Sequence, residues 1–182
     1  AARLRRAGDA GGADGLPEAP VMTPLEQLPK IYLKPGELTI NEHPAEVATV
    51  LGSCVAVTLY SPRHIVGAIC HAMLPQGGKR GGFKYVDGAL FHMLECFERL
   101  GISRDEIEAK LFGGSDMFPV LHPTKVNTVG RQNIAMAQQL LQEEGLVPRV
   151  ADVGGRQGRK LIFYPHTGEV FLKRLKKTWR DG

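Results

Sequence analysis

Two apolar, β-branched runs separated by a short polar turn constrain this chain more than any other stretch. Thr49-Val50-Leu51-Gly52-Ser53-Cys54-Val55-Ala56-Val57 and Ile65-Val66-Gly67-Ala68-Ile69-Cys70-His71-Ala72-Met73-Leu74-Pro75 flank Ser61-Pro62-Arg63-His64, a pattern that predicts an antiparallel hairpin. Cys54 and His71 lie about equally far from the turn centre, so a paired register brings them within roughly 5 to 8 Å of each other. A thiol beside an imidazole is a nucleophile beside its base. Gly52-Ser53 predict a backbone kink just before the cysteine, where peptide N–H groups would face a substrate carbonyl oxygen and form an oxyanion hole. Two other readings of the pair stay open, inert strand packing and metal ligation. An adjacent imidazolium lowers a thiol pKa from about 8.5 toward 4, so Cys54 is expected to be the acidic thiol of the three cysteines.

The stretch TVLGSCVAV, followed at a seventeen-residue offset by the histidine of GAICHAMLP, closely resembles the chemoreceptor glutamine deamidase family CheD. Four further segments resemble it: Pro35-Gly36-Glu37, Lys110-Leu111-Phe112-Gly113-Gly114, Val129-Gly130-Arg131-Gln132-Asn133, and DVGGRQGRKLIF at 152 to 163. The likeness spans roughly residues 31 to 172. It implies hydrolytic deamidation of particular glutamines on methyl-accepting chemotaxis receptors to glutamate, with Cys54 and His71 as catalytic residues and Thr49 as a third member orienting the histidine. On the strand pattern alone, Thr49 is equally an ordinary β-branched strand residue. The resemblance also implies a CheC-type phosphatase as a second partner, and a reaction that needs no cofactor or metal.

At 182 residues the chain is long enough for one core that buries around 70% of the unfolded surface. No apolar run reaches the roughly 18 residues of a membrane span, so no membrane insertion is expected. A net charge of +4 would suit nucleic acid, but no recognition helix, zinc spacing or aromatic RNA motif accompanies it, and nucleic acid is not expected as a partner. Three cysteines without a CxxC pair or a secretory signal argue for a reducing, cytoplasmic setting.

Residues 1–27 have no apolar period and read as a disordered tail, 28–175 as the deamidase domain, and 176–182 as a basic C-terminal tail. Val86, Leu90, Met93, Phe97 and Leu100 predict a helix ending at Gly101, and 128–144 predict a second. Ser103 to Glu106 has capping-box form. Alternation in strands points Cys70 away from the site if His71 points into it. Cys96 reads as packing and His92 as surface. The glycines of Gly113-Gly114 allow close backbone approach, as a wall of the site or a partner surface, or as a bulged strand end. Arg131 and Asn133 read either as holding loops at the helix start or as solvated polar residues. The basic glycine loop at 76–82 reads either as a mobile substrate-side loop or as a plain linker.

These elements predict an α+β, single-domain fold: a layered β-sheet core with two main helices and a cysteine-hydrolase-like active site on a β-hairpin. Cys54, His71 and Thr49 are the expected catalytic residues, with Gly52, Ser53, Gly113 and Gly114 on the oxyanion or substrate side. A protein of another class, a non-catalytic adaptor that binds a CheC-type phosphatase or receptor helices, would need neither nucleophile nor base.

Overall fold

The computed structural model describes residues 27–78, 80–117 and 127–176. The predicted tail at 1–27 lies outside them up to residue 26, as does the basic tail from residue 177 onward. Among the described residues the chain folds as α+β. The strands are β1 (Lys30–Tyr32), β2 (Leu38–Asn41), β3 (Glu46–Leu51), β4 (Val55–Ser61), β5 (Val66–Cys70), β6 (Glu108–Gly113), β7 (Val150–Val153), β8 (Arg159–Tyr164) and β9 (Glu169–Arg174). The helices are α1 (Val86–Arg99) and α2 (Val129–Glu143).

The strands form two sheets, one in the order β1-β3-β8-β9 and the other β2-β5-β4-β6-β7. Their side chains explain how the sheets stack. In β4, Val55, Val57 and Leu59 pack with Val86, Leu90, Met93 and Phe97 of α1. Ala56, from the alternate set, packs instead with Val47, Leu51, Leu161 and Phe163 of the other sheet. The five-stranded sheet is therefore a middle layer, with helices on one face and the four-stranded sheet on the other. A strand covered on both faces reads as an uninterrupted apolar run, and β4 is buried everywhere except Tyr60. At roughly 1.5–3 kcal/mol per large apolar side chain, the helix-side cluster holds α1 in place without help from a side-chain N-cap, which Tyr85 does not supply.

The hairpin forms as expected, with Ser61 paired to Val66 and Thr58 to Ile69. Ile65 closes its turn at φ 54°, a left-handed conformation that a β-branched residue rarely adopts. The run Thr49 to Val57 is not one strand, however. Leu51 ends β3 in the four-stranded sheet and Val55 begins β4 in the middle layer. Gly52-Ser53-Cys54 is the corner that carries the chain from one sheet to the other, so the expected kink is a change of layer. Thr49 thus sits on a different sheet from the strand after Cys54.

The two helices fall close to their expected bounds. Thr128 caps α2 by accepting the N–H of Arg131, and Gly145 follows its end at φ 72°. The capping box at Ser103 is present and starts a single 3-10 turn, Arg104–Glu106. The loop after Pro75 is pinned where it is described: the Asp87 carboxylate accepts the N–H groups of Gly77 and Gly78.

Candidate active site

The hairpin register decides how the cysteine and histidine meet. The last bridge of β4 with the following chain joins Val55 to Ala72, by bonds of 3.0 and 2.9 Å. Continuing that register sets Cys54 opposite Met73 and His71 opposite Ala56. Directly opposed residues share a face, so Cys54 and His71 share one as diagonal neighbours rather than facing each other squarely. That face is the one turned toward the four-stranded sheet, where Cys54 packs against the inter-sheet cluster. Cys70 lies in the helix-side cluster, as alternation predicts.

Thr49 reaches His71 across the gap between the sheets. Its hydroxyl lies 2.7 Å from His71 Nδ1 and 2.7 Å from the carbonyl oxygen of Leu33. Thr49 is 0% exposed and His71 2%, so these partners are shielded from competing water. The single hydroxyl proton must go to the carbonyl, which can only accept. Thr49 Oγ1 therefore accepts from Nδ1–H, and the neutral ring carries its lone pair on Nε2.

The corner bearing Cys54 is held by its carbonyls. Gly52 O accepts from Ser115 N–H at 2.9 Å and Cys54 O from Gly114 N–H at 2.8 Å. Ser53 O accepts from Asn133 Nδ2 at 3.0 Å. The N–H groups of Ser53 and Cys54 have no backbone acceptor among the described residues. A cavity of about 230 Å³ opens beside Ser53, lined also by Ser115, Met117, Thr128 and Val129.

Gly113 and Gly114 are buried behind this corner and do not form an open partner surface. Their φ angles are 103° and 70°. A Cβ on Gly113 would lie 2.3 Å from Cys54 O, and one on Gly114 2.4 Å from Ile134, so both positions need glycine for close approach. The Gly114 N–H is committed to Cys54 O and braces that peptide. Behind them Arg159, 1% exposed, donates to Asp152 Oδ1 at 2.7 Å, to Gly154 O at 2.7 Å and to Ser115 Oγ.

Burial sets the electrostatics. It raises the Cys54 thiol above its ordinary value, against the smaller opposing pull of the residue's own N–H. It lowers His71 below its ordinary 6.5, partly offset by the Leu33 carbonyl and the Glu37 charge. Among the described residues no hydrogen bond joins Cys54 to His71. The expectation of an acidic Cys54 is therefore corrected: the resting pair is a thiol and a neutral imidazole, because desolvation disfavours both charged forms. Cys70, fully buried, is pushed up to about 11. Alkylation of Cys54 by iodoacetamide is expected to be slow at pH 6 and below, with a first rise where His71 loses its proton and a further climb toward pH 9, and with Cys70 unlabelled. Peptide mapping at each pH checks this, and full labelling of Cys54 at pH 6 would show an ion pair instead.

Asn133 is one of the residues that sequence reasoning left undecided. It is 0% exposed and binds Ser53 O and Met73 O. The available signal was its place on the apolar stripe of α2, in line with Gly130, Ala137, Leu140 and Leu141. Arg131 pairs with Asp116 at 3.0 Å. On α1, Cys96 Sγ lies 3.6 Å from His92 Nε2 and accepts from Arg99. Among the described residues no cluster of three His, Cys, Asp or Glu side chains is placed to hold a metal ion, and no helix is long and apolar enough to cross a membrane.

Comparison with known proteins adds the following. The family model described as CheD chemotactic sensory transduction matches residues 73–174. A protein of Geobacter sulfurreducens named probable chemoreceptor glutamine deamidase CheD 2 is 49% identical over 156 residues, covering 86% of this chain and 96% of that protein. A protein of Maridesulfovibrio salexigens, named probable chemoreceptor glutamine deamidase CheD, is 39% identical over 158 residues, covering 81% and 93%. One from Nitratidesulfovibrio vulgaris with the same name is 38% identical over 156 residues, covering 81% and 78%.

Proposed function

This chain belongs to the CheD family, and from that we propose that it hydrolyses the side-chain carboxamides of glutamines on chemoreceptors to glutamates. Cys54 is the nucleophile, His71 the base and Thr49 the residue that orients the base. The observation that carries this reading is the relay Leu33 O, Thr49 Oγ1, His71 Nδ1. It leaves the lone pair of the imidazole on Nε2, the nitrogen not engaged by Thr49.

The reaction runs from a neutral pair. As Sγ attacks the carboxamide carbon, its proton passes to Nε2 of His71, so attack and proton transfer are coupled and no thiolate is stored beforehand. The carbonyl oxygen takes up negative charge opposite the N–H groups of Ser53 and Cys54. The imidazolium returns the proton to the nitrogen as the C–N bond breaks, releasing ammonia and leaving a thioester. Nε2 then takes a proton from water, hydroxide adds to the thioester carbonyl, and the sulfur leaves with that proton, freeing the glutamate side chain. The substrate is the receptor segment bearing the glutamine, a CheC-type phosphatase is the second partner, and the setting is cytoplasmic.

A receptor cytoplasmic fragment incubated with the protein is expected to gain about 1 Da for each converted glutamine, with equimolar ammonia. Peptide mass spectrometry reads both site and extent. Unchanged mass across several receptor fragments, with ammonia at background, overturns the enzyme reading. If those fragments still bind, the adaptor reading takes its place.

A further inference from the structure

We propose that Asn133 is a positioning residue that sets the spacing between the nucleophile and its base, an assignment that rests on the deamidase reading above. The residue sits in the second turn of α2 and is fully buried. Its amide gives one hydrogen to Ser53 O and one to Met73 O, each at 3.0 Å. Ser53 immediately precedes Cys54, and Met73 follows His71 by two residues.

Both carbonyls lie beyond Val55–Ala72, the last bridge of the hairpin. Past that point the hairpin has no further bridge among the described residues, and the Asn133 amide joins Ser53, next to Cys54, to Met73, two residues after His71. Two acceptors also fix which way the amide points, since the flipped orientation would set Oδ1 against two carbonyl oxygens. The cost is visible on the other side of the group: Oδ1 is buried with no hydrogen-bond partner. An orphaned buried acceptor opposes folding, and the two carbonyls that the amide faces would lose their donor to any apolar side chain here. What asparagine supplies here is two donors from one planar group. Cys54 lies one residue outside the last bridge and His71 one residue inside it, so the cysteine can shift against the histidine where the ladder ends, and a displacement of about 1 Å between reacting groups can cost on the order of 100-fold in rate.

Asn133→Asp keeps the shape and removes both donors. Asn133→Ala removes the side chain, and Asn133→Ser keeps one donor. In the intact protein, kcat for receptor deamidation is expected to fall about 10- to 100-fold for Asp and Ala, less for Ser, with KM within about threefold. The second readout needs no substrate. The rate of Cys54 alkylation by iodoacetamide against pH is expected to show a limb where His71 titrates in the parent, and to lose that limb in His71→Ala and in Asn133→Ala alike. A purely structural role lowers the melting temperature but leaves kcat per folded molecule and the limb unchanged, and that result overturns the proposal. If Asn133→Asp does not fold, Ala and Ser decide. A parent-like Asn133→Ala beside a crippled His71→Ala removes only the positioning role, whereas full activity in His71→Ala removes the catalytic pair and the positioning role with it.

Discussion

Cys54→Ala is expected to reduce glutamine conversion to background while receptor binding stays within about tenfold of the parent. Loss of a nucleophile that acts in concert with its base costs on the order of 10⁶ in kcat in a serine hydrolase, so any residual turnover should fall below what the mass readout detects. The fold should survive, because Cys54 is only partly buried at the edge of the inter-sheet cluster and the corner is held by its carbonyls rather than by the thiol. His71→Ala, by the same mechanism, is expected to lower deamidation at least about 100-fold. Co-purification of each variant with a receptor fragment, alongside the fragment's mass, separates recognition from chemistry. Turnover in Cys54→Ala would take the sulfur out of the mechanism.

Thr49→Val is expected to lower kcat about 10- to 100-fold with KM little changed, and Thr49→Ser to restore it to within a few-fold. Valine keeps the β-branched shape but leaves two buried groups unpaired, the Leu33 carbonyl and His71 Nδ1, each costing about 1–3 kcal/mol. Without an acceptor at Nδ1, the tautomer with its proton on Nε2 competes, and that tautomer cannot act as base. In the parent, activity is expected to rise as His71 loses its proton, with a midpoint below 6.5 because burial depresses that pKa. Stability follows the same sign: the unfolded chain binds a proton that the folded one resists, so stability is lost as pH falls below about 6.5. Melting temperatures between pH 7.5 and 5.5 check this, and a Thr49→Val enzyme with parental kcat would remove Thr49 from the relay.

Much of this arrangement was legible in the residues. The hairpin, both helices, the outward turn of Cys70 and the kink at Gly52-Ser53 follow from alternation, helical period and turn chemistry. What alternation does not carry is which sheet a strand joins. Thr49 and Val57 belong to one apolar run in sequence, yet only the tertiary fold shows β3 and β4 in different layers. The charge state was misjudged for a related reason: an imidazole acidifies a thiol only when its own charge is tolerated, and burial of both groups depends on packing that no local pattern encodes. Asn133 was ambiguous because a polar residue on an apolar stripe becomes informative only when its two carbonyl acceptors, 80 and 60 positions away, come into view.

The threonine and the imidazole it orients are rooted in opposite walls of the sandwich, and the 2.7 Å bond between them is a stitch through the interior. Turnover in such an enzyme doubles as a ruler for wall separation. A perturbation that lets the walls breathe apart by a fraction of an ångström, such as mild urea or a shaved methyl at Leu161 or Val47, lengthens the stitch while every strand keeps its ladder. Activity should therefore fade ahead of circular dichroism as denaturant rises, with the gap between the two curves measuring how much slack the seam tolerates.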